Sequence, residues 1–236
     1  MFYITADPHG DFRPIKRFAR DENLTLDDTI IVLGDAGVNY FGNHRDRECK
    51  RIISDISSTV FCIHGNHEMR PESLPHLYHE LAWNGGTAFV EDEYPNLLFA
   101  RDGEVFDFDG TSALVAGGAY SVDKLYRLAR GWSWFADEQP DDEIKQRVEN
   151  ALGRLQWRVD AMLTHTCPYK FEPQEAFIQG VNQSSVDKTT EQWLDQIENR
   201  LEYRRWYCGH WHISKRIERV HFMFQEVEPF MGQALE

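Results

Sequence analysis

The stretch of sequence that decides the fold is residues 61–68, which read FCIHGNHE. The run that contains its start, residues 59–63, is rich in β-branched and aromatic side chains and predicts a buried strand. The run stops before Gly65, and Asn66 and His67 follow at once. In an α/β sheet, ligands bind outside the carboxyl ends of the strands. We therefore expect residues 64–68 to lie at a functional edge of a sheet.

Other apolar runs in the chain also end in side chains that can bind a metal. These runs are residues 2–6, 29–33, 159–164 and 206–208. The side chains that follow them are Asp7, His9, Asp35, His165, His210 and His212. Because strand ends of this kind share one edge of a sheet, we expect these side chains to lie together with Asn66 and His67.

The pattern along the chain predicts an α/β fold. Helices over about residues 12–21 and 43–56 alternate with the first strands, which favours a parallel sheet with right-handed crossovers. Short strands separated by turn signals follow at residues 88–90, 97–100, 104–108 and 111–116. Helices at 141–154 and 190–201 and a hairpin at 214–227 complete the prediction. We expect one domain, residues 1–236, with two sheets packed face to face and helices outside.

The composition limits the possible functions. With 42 % hydrophobic and 27 % charged residues in 236, the chain is typical of a soluble globular protein. Its net charge of −14 argues against broad attachment to nucleic acid or to an anionic membrane. No apolar run approaches the roughly 20 residues of a membrane span, and the start lacks the features of a signal peptide. The four cysteines form no CxxC pair, so a cytoplasmic, reducing location is expected.

The candidate ligands combine carboxylates, an amide and imidazoles, namely Asp7, His9, Asp35, Asn66, His165, His210 and His212. This mixture suits Mn, Fe, Zn or Ni better than Ca or Mg, which prefer shells of oxygen alone. Seven ligands are too many for one ion, whereas two ions about 3.5–4 Å apart would use them all by sharing a carboxylate. Asp35 stands alone at its strand end and is the natural bridge. Two divalent ions would leave the centre slightly positive, which favours a phosphate ligand.

The order of these motifs resembles that of the calcineurin-like metallophosphoesterases. The motifs are Asp7-x-His9, Gly34-Asp35, Gly65-Asn66-His67-Glu68, His165 and Gly209-His210-x-His212, and they extend over nearly the whole chain. The resemblance implies a four-layer α/β/β/α sandwich of two mixed sheets. It also implies a centre of two divalent transition-metal ions, with Mn²⁺ as the first choice and Fe, Zn or Ni as alternatives.

The same resemblance implies a role for each ligand. Asp7, His9 and His212 would hold one ion, Asn66, His165 and His210 would hold the other, and Asp35 would bridge them. His67 would lie beside the leaving oxygen as an acid or charge stabiliser. The implied reaction is in-line attack on phosphorus by a metal-bridging hydroxide.

One motif departs from the protein Ser/Thr phosphatases of this superfamily. Those enzymes follow the bridging aspartate with a further Asp-Arg pair, which orients the catalytic histidine and grips phosphate. Here Asp35 is followed by Ala36 and Gly37, and His64 stands where those enzymes carry arginine. A protein phosphatase is therefore disfavoured, and the sequence leaves open what orients His67.

Substrate contacts are expected from a cap segment at about residues 120–139, because it follows a strand end at Gly117-Gly118. Lys124, Arg127 and Arg130 are spaced so that a helix would bring them to one side, and we predict that they bind substrate. A solvated helix face is the alternative interpretation of these three cations.

The sequence therefore predicts a metal-dependent phosphoesterase that acts on a small phosphorylated substrate, either a phosphomonoester or a small phosphodiester. A nuclease and a non-catalytic scaffold of the same fold are the alternatives. The negative net charge disfavours an extended nucleic acid as the substrate. Because every ligand position is filled, a non-catalytic scaffold is also disfavoured. No membrane partner is expected, and the oligomeric state is left open.

Overall fold

The computed structural model describes residues 1–232, and the first of its two sheets is mixed. Within these residues the sheet contains β1 (Phe2–Thr5), β2 (Thr29–Val32), β3 (Thr59–Cys62), β4 (His79–Trp83), β5 (Gly86–Val90), β6 (Leu97–Ala100) and β13 (Glu228–Pro229). The order across the sheet is β13-β1-β2-β3-β6-β5-β4. Strands β1, β2, β3 and β6 are parallel, and the other strands add antiparallel at the two edges.

The second sheet is also mixed. Among the described residues it contains β7 (Val105–Phe108), β8 (Thr111–Ala116), β9 (Ala161–Thr164), β10 (Arg205–Cys208), β11 (Lys215–Ile217) and β12 (Val220–Phe222). The order is β11-β12-β10-β9-β8-β7. Strands β8, β9, β10 and β12 are parallel, and β7 and β11 pair antiparallel at the edges.

The helices of the described chain are α1 (Arg13–Asp21), α2 (His44–Ser54), α3 (Lys124–Ala129), α4 (Asp142–Arg154) and α5 (Thr189–Glu198). Helix α4 begins at a cap in which the Asp141 carboxylate accepts the backbone N–H of Ile144 at 2.8 Å. No helix within residues 1–232 combines the length and the apolar character that a membrane crossing requires.

Alternation along the strands produces the layers. Ile4, Ile31 and Phe61 stand side by side in register and belong to the buried cluster between the two sheets. Their neighbours Ile30 and Val60 belong to a separate cluster beneath α1 and α2. Because successive side chains of a strand point to opposite faces, one sheet buries both faces in this way.

The second sheet is covered on its outer face by α4 and α5. Met162 and Trp206 point to that face and pack with Leu152 of α4 and Leu194 of α5. The result is a four-layer α/β/β/α sandwich with helices outside two mixed sheets. The fold class predicted from the sequence is therefore confirmed.

The sequence prediction missed strand β4. Its five residues, His79–Trp83, are mostly exposed because β4 lies at the edge of the first sheet. The predicted cap, residues 120–139, contains the short helix α3. The prediction of a single domain stays a prediction, and its last positions, 233–236, lie outside the described residues.

Candidate metal centre

The loops that follow five parallel strands bring the predicted ligands together at one edge of the sandwich. The loops after β1, β2, β3, β9 and β10 carry, in that order, Asp7 and His9, Asp35, Asn66, His165, and His210 and His212. Ligand atoms lie within 4.8 Å of one another in three overlapping groups, which are Asp7 with His9 and His212, His9 with Asp35 and His67, and Asp7 with Asp35 and His165. The structure therefore gathers residues that are as far apart in sequence as Asp7 and His212.

One part of the site is built around the side-chain oxygen of Asn66. This Oδ1 lies 2.8 Å from Nε2 of His165 and 3.0 Å from Nδ1 of His210. Nδ1 of His165 donates to the carbonyl oxygen of Leu33 at 2.8 Å, and burial lowers the pKa of this ring, so it is neutral. Its Nε2 then carries a lone pair that faces the amide oxygen of Asn66. Acceptor atoms in such close contact fit a cation between them.

The amide of Asn66 is held in this orientation by Ser121. Nδ2 of Asn66 donates to Oγ of the buried Ser121 at 2.8 Å. With Nδ2 directed to Ser121, the amide presents Oδ1 to His165 and His210.

The other part of the site contains Asp7, His9 and His212. The Asp7 side chain is buried, and its Oδ2 accepts the backbone N–H of His210 at 2.9 Å. Its Oδ1 has no hydrogen-bond partner among the described residues. Burial, together with the neighbouring Asp35, raises the pKa of Asp7 well above its ordinary value. A buried carboxylate oxygen without a partner is costly, and a bound cation would compensate it.

Asp35 lies between these two parts. Its Oδ2 is 3.8 Å from Nε2 of His9, and its Oδ1 is 3.4 Å from Nε2 of His165. Burial opposes ionisation of Asp35, but His165, His67 and His9 together hold its pKa below the usual range. One carboxylate thus offers an oxygen to each side, as a bridging ligand must, although its role as a bridge stays a prediction.

Three of the predicted imidazole ligands, His165, His210 and His212, are in the form that binds metals. Burial lowers the pKa of His210 well below its ordinary value, and burial together with His9 lowers that of His212 to about 4. Both rings are therefore neutral at pH 7 and can offer a nitrogen lone pair. The carboxylates, the amide oxygen and the neutral imidazoles fit a divalent metal ion.

The backbone at the predicted ligands is strained. Five of them have positive φ, which is 53° at Asp7, 46° at His9, 48° at Asp35, 68° at His210 and 50° at His212. This left-handed region is uncommon for residues other than glycine and costs of order 1–3 kcal/mol per residue. Such strain persists only where the surrounding structure imposes it, and it concentrates at functional sites.

Two glycines make the close approach of the loops possible. A Cβ on Gly65 would lie 2.1 Å from the backbone nitrogen of Asp35 and 2.2 Å from its Oδ1. A Cβ on Gly34 would lie 2.3 Å from Nδ1 of His165. The glycines before Asp35 and Asn66 are therefore required by contacts between neighbouring loops.

His67 lies beside this centre and is contacted by Arg127. Nη1 of Arg127 is 3.4 Å from Nδ1 of His67, and the arginine side chain is only 1 % exposed. Nη2 of Arg127 donates to Oγ of Ser121, and Nε lies 3.2 Å from Oδ1 of Asp123. Burial lowers the pKa of His67, Asp35 opposes this, and Arg127 reinforces it. The histidine that the sequence left without an orienting partner therefore has a cationic one.

A sequence model of the family described as calcineurin-like phosphoesterase matches residues 1–214. The chain belongs to the calcineurin-like phosphoesterase family. The resemblance inferred from the motifs is therefore confirmed. No curated protein matches the chain.

Solved structures that match the chain include proteins from Thermus thermophilus, Mycobacterium tuberculosis and Aquifex aeolicus. TT1561 of Thermus thermophilus shares 15 % identity, with 94 % of this chain and 87 % of that one covered and a TM-score of 0.54. Phosphopantetheinyl hydrolase (PptH) from Mycobacterium tuberculosis gives 15 % identity, 94 % and 87 % coverage and a TM-score of 0.48. AQ665 from Aquifex aeolicus, a protein of unknown function, shares 14 % identity, with 86 % of this chain and 87 % of that one covered and a TM-score of 0.38. The likeness to TT1561 shows the fold alone.

In this calcineurin-like phosphoesterase, the three cations predicted to bind substrate do not share one side of a helix. Nζ of Lys124 lies 3.6 Å from the centre of the Trp134 ring, and the exposed Arg130 lies over Tyr126. Arg127 alone turns inward, to His67. The three side chains do not form the single cationic face that their spacing favoured, because helix α3 ends at Ala129 and aromatic rings lie against the other two charges. Their role in substrate binding stays a prediction. None of the three lines the cavity at the metal centre.

Sequence reasoning missed one wall of that cavity. The cavity has a volume of about 320 Å³ and is lined partly by residues between β9 and α5, including Phe177, Ile178 and Val181. This segment has short 3₁₀ turns and no periodic pattern that would have marked it. The available signal was the run Ala176-Phe177-Ile178, which is unusually apolar for a loop.

Proposed function

We propose that this protein is a metal-dependent phosphoesterase that hydrolyses a phosphomonoester or a small phosphodiester. The proposal depends on one observation, which is that the seven predicted ligands converge around Asp35 with His67 beside them. Membership of the family supports the same reaction class.

The ligands divide into two sets that would hold two divalent ions, with Mn²⁺ as the first choice and Fe, Zn or Ni as alternatives. Asp7, His9 and His212 would hold one ion, Asn66, His165 and His210 would hold the other, and Asp35 would be common to both. When bound, the ions would supply the positive charge and Lewis acidity that hydrolysis of a phosphoester requires.

The protein's own contribution to the reaction is a proton held at a defined atom. A guanidinium can only donate hydrogen bonds, so Nδ1 of His67 accepts from Arg127 and a neutral ring carries its proton on Nε2. Nε2 is then the atom that can donate a hydrogen bond or a proton to the leaving oxygen of the ester. Arg127 and Ser121 together orient both this ring and the amide of Asn66.

The decisive experiment measures bound metal and hydrolysis in the same preparations. We expect two metal ions per chain by elemental analysis and release of p-nitrophenol from p-nitrophenyl phosphate or its bis-ester with Mn²⁺ present. The ratio of the two rates assigns monoesterase or diesterase activity. Asp35→Asn should lower the metal content sharply and reduce the rate by roughly 10²-fold or more.

Asp109→Asn is the matched control, because Asp109 is exposed in a turn that asparagine also tolerates. It should change neither metal content nor rate. A protein that binds two metals but hydrolyses no phosphoester would contradict the proposal and favour a non-catalytic module of the same fold.

A further inference from the structure

The cavity at the candidate metal centre has two chemically different sides. One part of the lining consists of His67 and five of the predicted ligands, namely His9, Asp35, Asn66, His210 and His212. The rest contains apolar and aromatic side chains together with a few charged and polar ones. The apolar side includes Tyr120, Val122, Phe177, Ile178, Val181 and Trp211. A volume of about 320 Å³ lies at the lower end of the range for small-molecule sites, which is roughly 300–1,000 Å³.

The apolar side is fixed to the metal side by Trp211. This residue stands in the chain between the predicted ligands His210 and His212. Its ring lies 5.8 Å from the ring of Phe177, measured between centroids. A group attached to a phosphate at the metal centre would therefore have Phe177 and Trp211 beside it.

The charged groups that line the cavity offer no free cation for a second phosphate. Lys188 is paired with Glu172 at 2.6 Å and also lies over the Phe177 ring. The other charged groups on the wall outside the metal centre, within residues 1–232, are the carboxylates of Asp123 and Glu191. A polyphosphate tail or the backbone of a nucleic acid would therefore meet negative charge, whereas an uncharged apolar group would not.

We propose that the cavity binds the alcohol portion of a phosphoester whose alcohol is an uncharged alkyl or aryl group, with Phe177 and Ile178 as specificity-determining residues. This inference rests on the proposed function, because the phosphate of such a substrate must lie at the metal centre. Each methylene removed from water against the apolar wall strengthens binding of the substrate and of the transition state.

The test is a series of substrates that differ only in apolar length. Ethyl, butyl and hexyl phosphate have leaving alcohols of similar acidity, so differences in kcat/KM report contacts with the wall. Burial of one methylene corresponds to roughly fourfold in affinity, and we expect kcat/KM to rise at least about tenfold from ethyl to hexyl phosphate.

Two variants test whether the dependence on chain length comes from the apolar side of the cavity. Phe177→Ala and Ile178→Ala should reduce kcat/KM for hexyl phosphate while leaving that for ethyl phosphate nearly unchanged. Ile178 is 58 % exposed, so this variant should fold normally even if Phe177→Ala does not. Leu125→Ala, at a residue that is 78 % exposed and does not line the cavity, is the control.

A binding measurement separates this inference from the proposed function. Hexylphosphonate, which cannot be hydrolysed, should bind to the Mn²⁺-loaded protein at least about tenfold more tightly than ethylphosphonate in calorimetry. Equal binding of the two phosphonates, or hydrolysis that does not depend on chain length, would overturn the apolar site and leave the phosphoesterase intact. Absence of hydrolysis for every ester would overturn the proposed function. Even then, comparing the affinities of the two phosphonates would still show whether the apolar site exists.

Discussion

Nη1 of Arg127 lies 3.4 Å from Nδ1 of His67, so a guanidinium and not a carboxylate contacts this nitrogen of the ring. A carboxylate would accept a hydrogen bond from Nδ1–H and favour a charged ring. A guanidinium donates instead, and it favours a neutral ring with its proton on Nε2. The same arginine reaches Oγ of Ser121, which holds the amide of Asn66. One buried cation therefore orients both the candidate acid and a candidate metal ligand.

Arg127→Ala should lower kcat more than it raises KM. Arg127 does not line the cavity, so its loss should leave substrate binding largely intact, while the His67 ring loses its orientation. We expect a decrease in kcat of roughly 10- to 100-fold, with partial recovery in Arg127→Lys. Thermal melting of each variant checks that the fold is retained.

Arg130→Ala is the control for this prediction, because Arg130 is exposed and lies outside the cavity. Its kinetics should equal those of the unmodified protein. A raised KM with unchanged kcat in Arg127→Ala would instead assign Arg127 to substrate binding, as its spacing in the sequence first suggested.

Ser121→Ala should weaken metal binding. The hydroxyl accepts a hydrogen bond from Nδ2 of Asn66, and without it the amide is free to turn its oxygen away from His165 and His210. Loss of such a supporting contact typically costs 10- to 100-fold in metal affinity. Titration of Mn²⁺ in competition with a chelator measures the change, and Ser54→Ala, on the remote helix α2, should show none. Unchanged affinity would remove Ser121 from the supporting role.

The convergence of the predicted ligands at one edge could be predicted because it follows from parallel pairing. Ile4, Ile31 and Phe61 are in register, so the residues just beyond them, including Asp7 and Asp35, reach the same edge. Apolar runs in the sequence show where such strands end. In a chain of ordinary composition, few other arrangements would bring so many candidate ligands together. The fold class followed from the same pattern.

Other features depend on contacts that no local pattern encodes. Arg127 lies in the short helix α3 between Lys124 and Arg130, and only tertiary packing distinguishes it as the cation that turns inward. The left-handed backbone at Asp7 and His9 is likewise imposed by neighbouring loops. Phe177 lies in a segment without periodicity, so its place in the cavity could not be read from spacing.

Gly65→Ala should destabilise the protein and disrupt the metal centre. The new methyl group would lie 2.1 Å from the backbone nitrogen of Asp35, and backbone cannot move aside as a flexible side chain can. We expect a loss of roughly 1–3 kcal/mol in the free energy of unfolding, measured by urea denaturation, together with weaker Mn²⁺ binding.

Gly153→Ala is the matched control for this substitution. Gly153 lies in helix α4 with nothing within 4 Å of its added Cβ, so alanine should stabilise the protein by about 0.5–1 kcal/mol. If Gly65→Ala were as stable as the unmodified protein, the close approach of the Asp35 loop would be disproved.

Glu191→Gln should stabilise the metal-free protein at alkaline pH and have little effect at acidic pH. Glu191 is 4 % exposed, its Oε1 accepts from Oγ1 of Thr166 at 2.8 Å, and its Oε2 has no partner among the described residues. Burial raises its pKa from 4.5 to about 7. As pH rises above 4.5, the unfolded chain loses the Glu191 proton while the folded chain keeps it. The unfavourable contribution of Glu191 to the free energy of unfolding therefore grows between pH 4.5 and 7 and is complete above pH 7.

Glutamine retains the acceptor for Thr166 and removes the charge, so the stabilisation at pH 8 should reach up to about 3 kcal/mol and vanish near pH 4.5. Urea denaturation of both proteins between pH 4.5 and 8 measures the difference. Glu226→Gln, at an exposed position, controls for the loss of one negative charge. A stabilisation that is equal at both ends of the pH range would show that the effect comes from packing, because only a group that titrates between them can make the difference depend on pH.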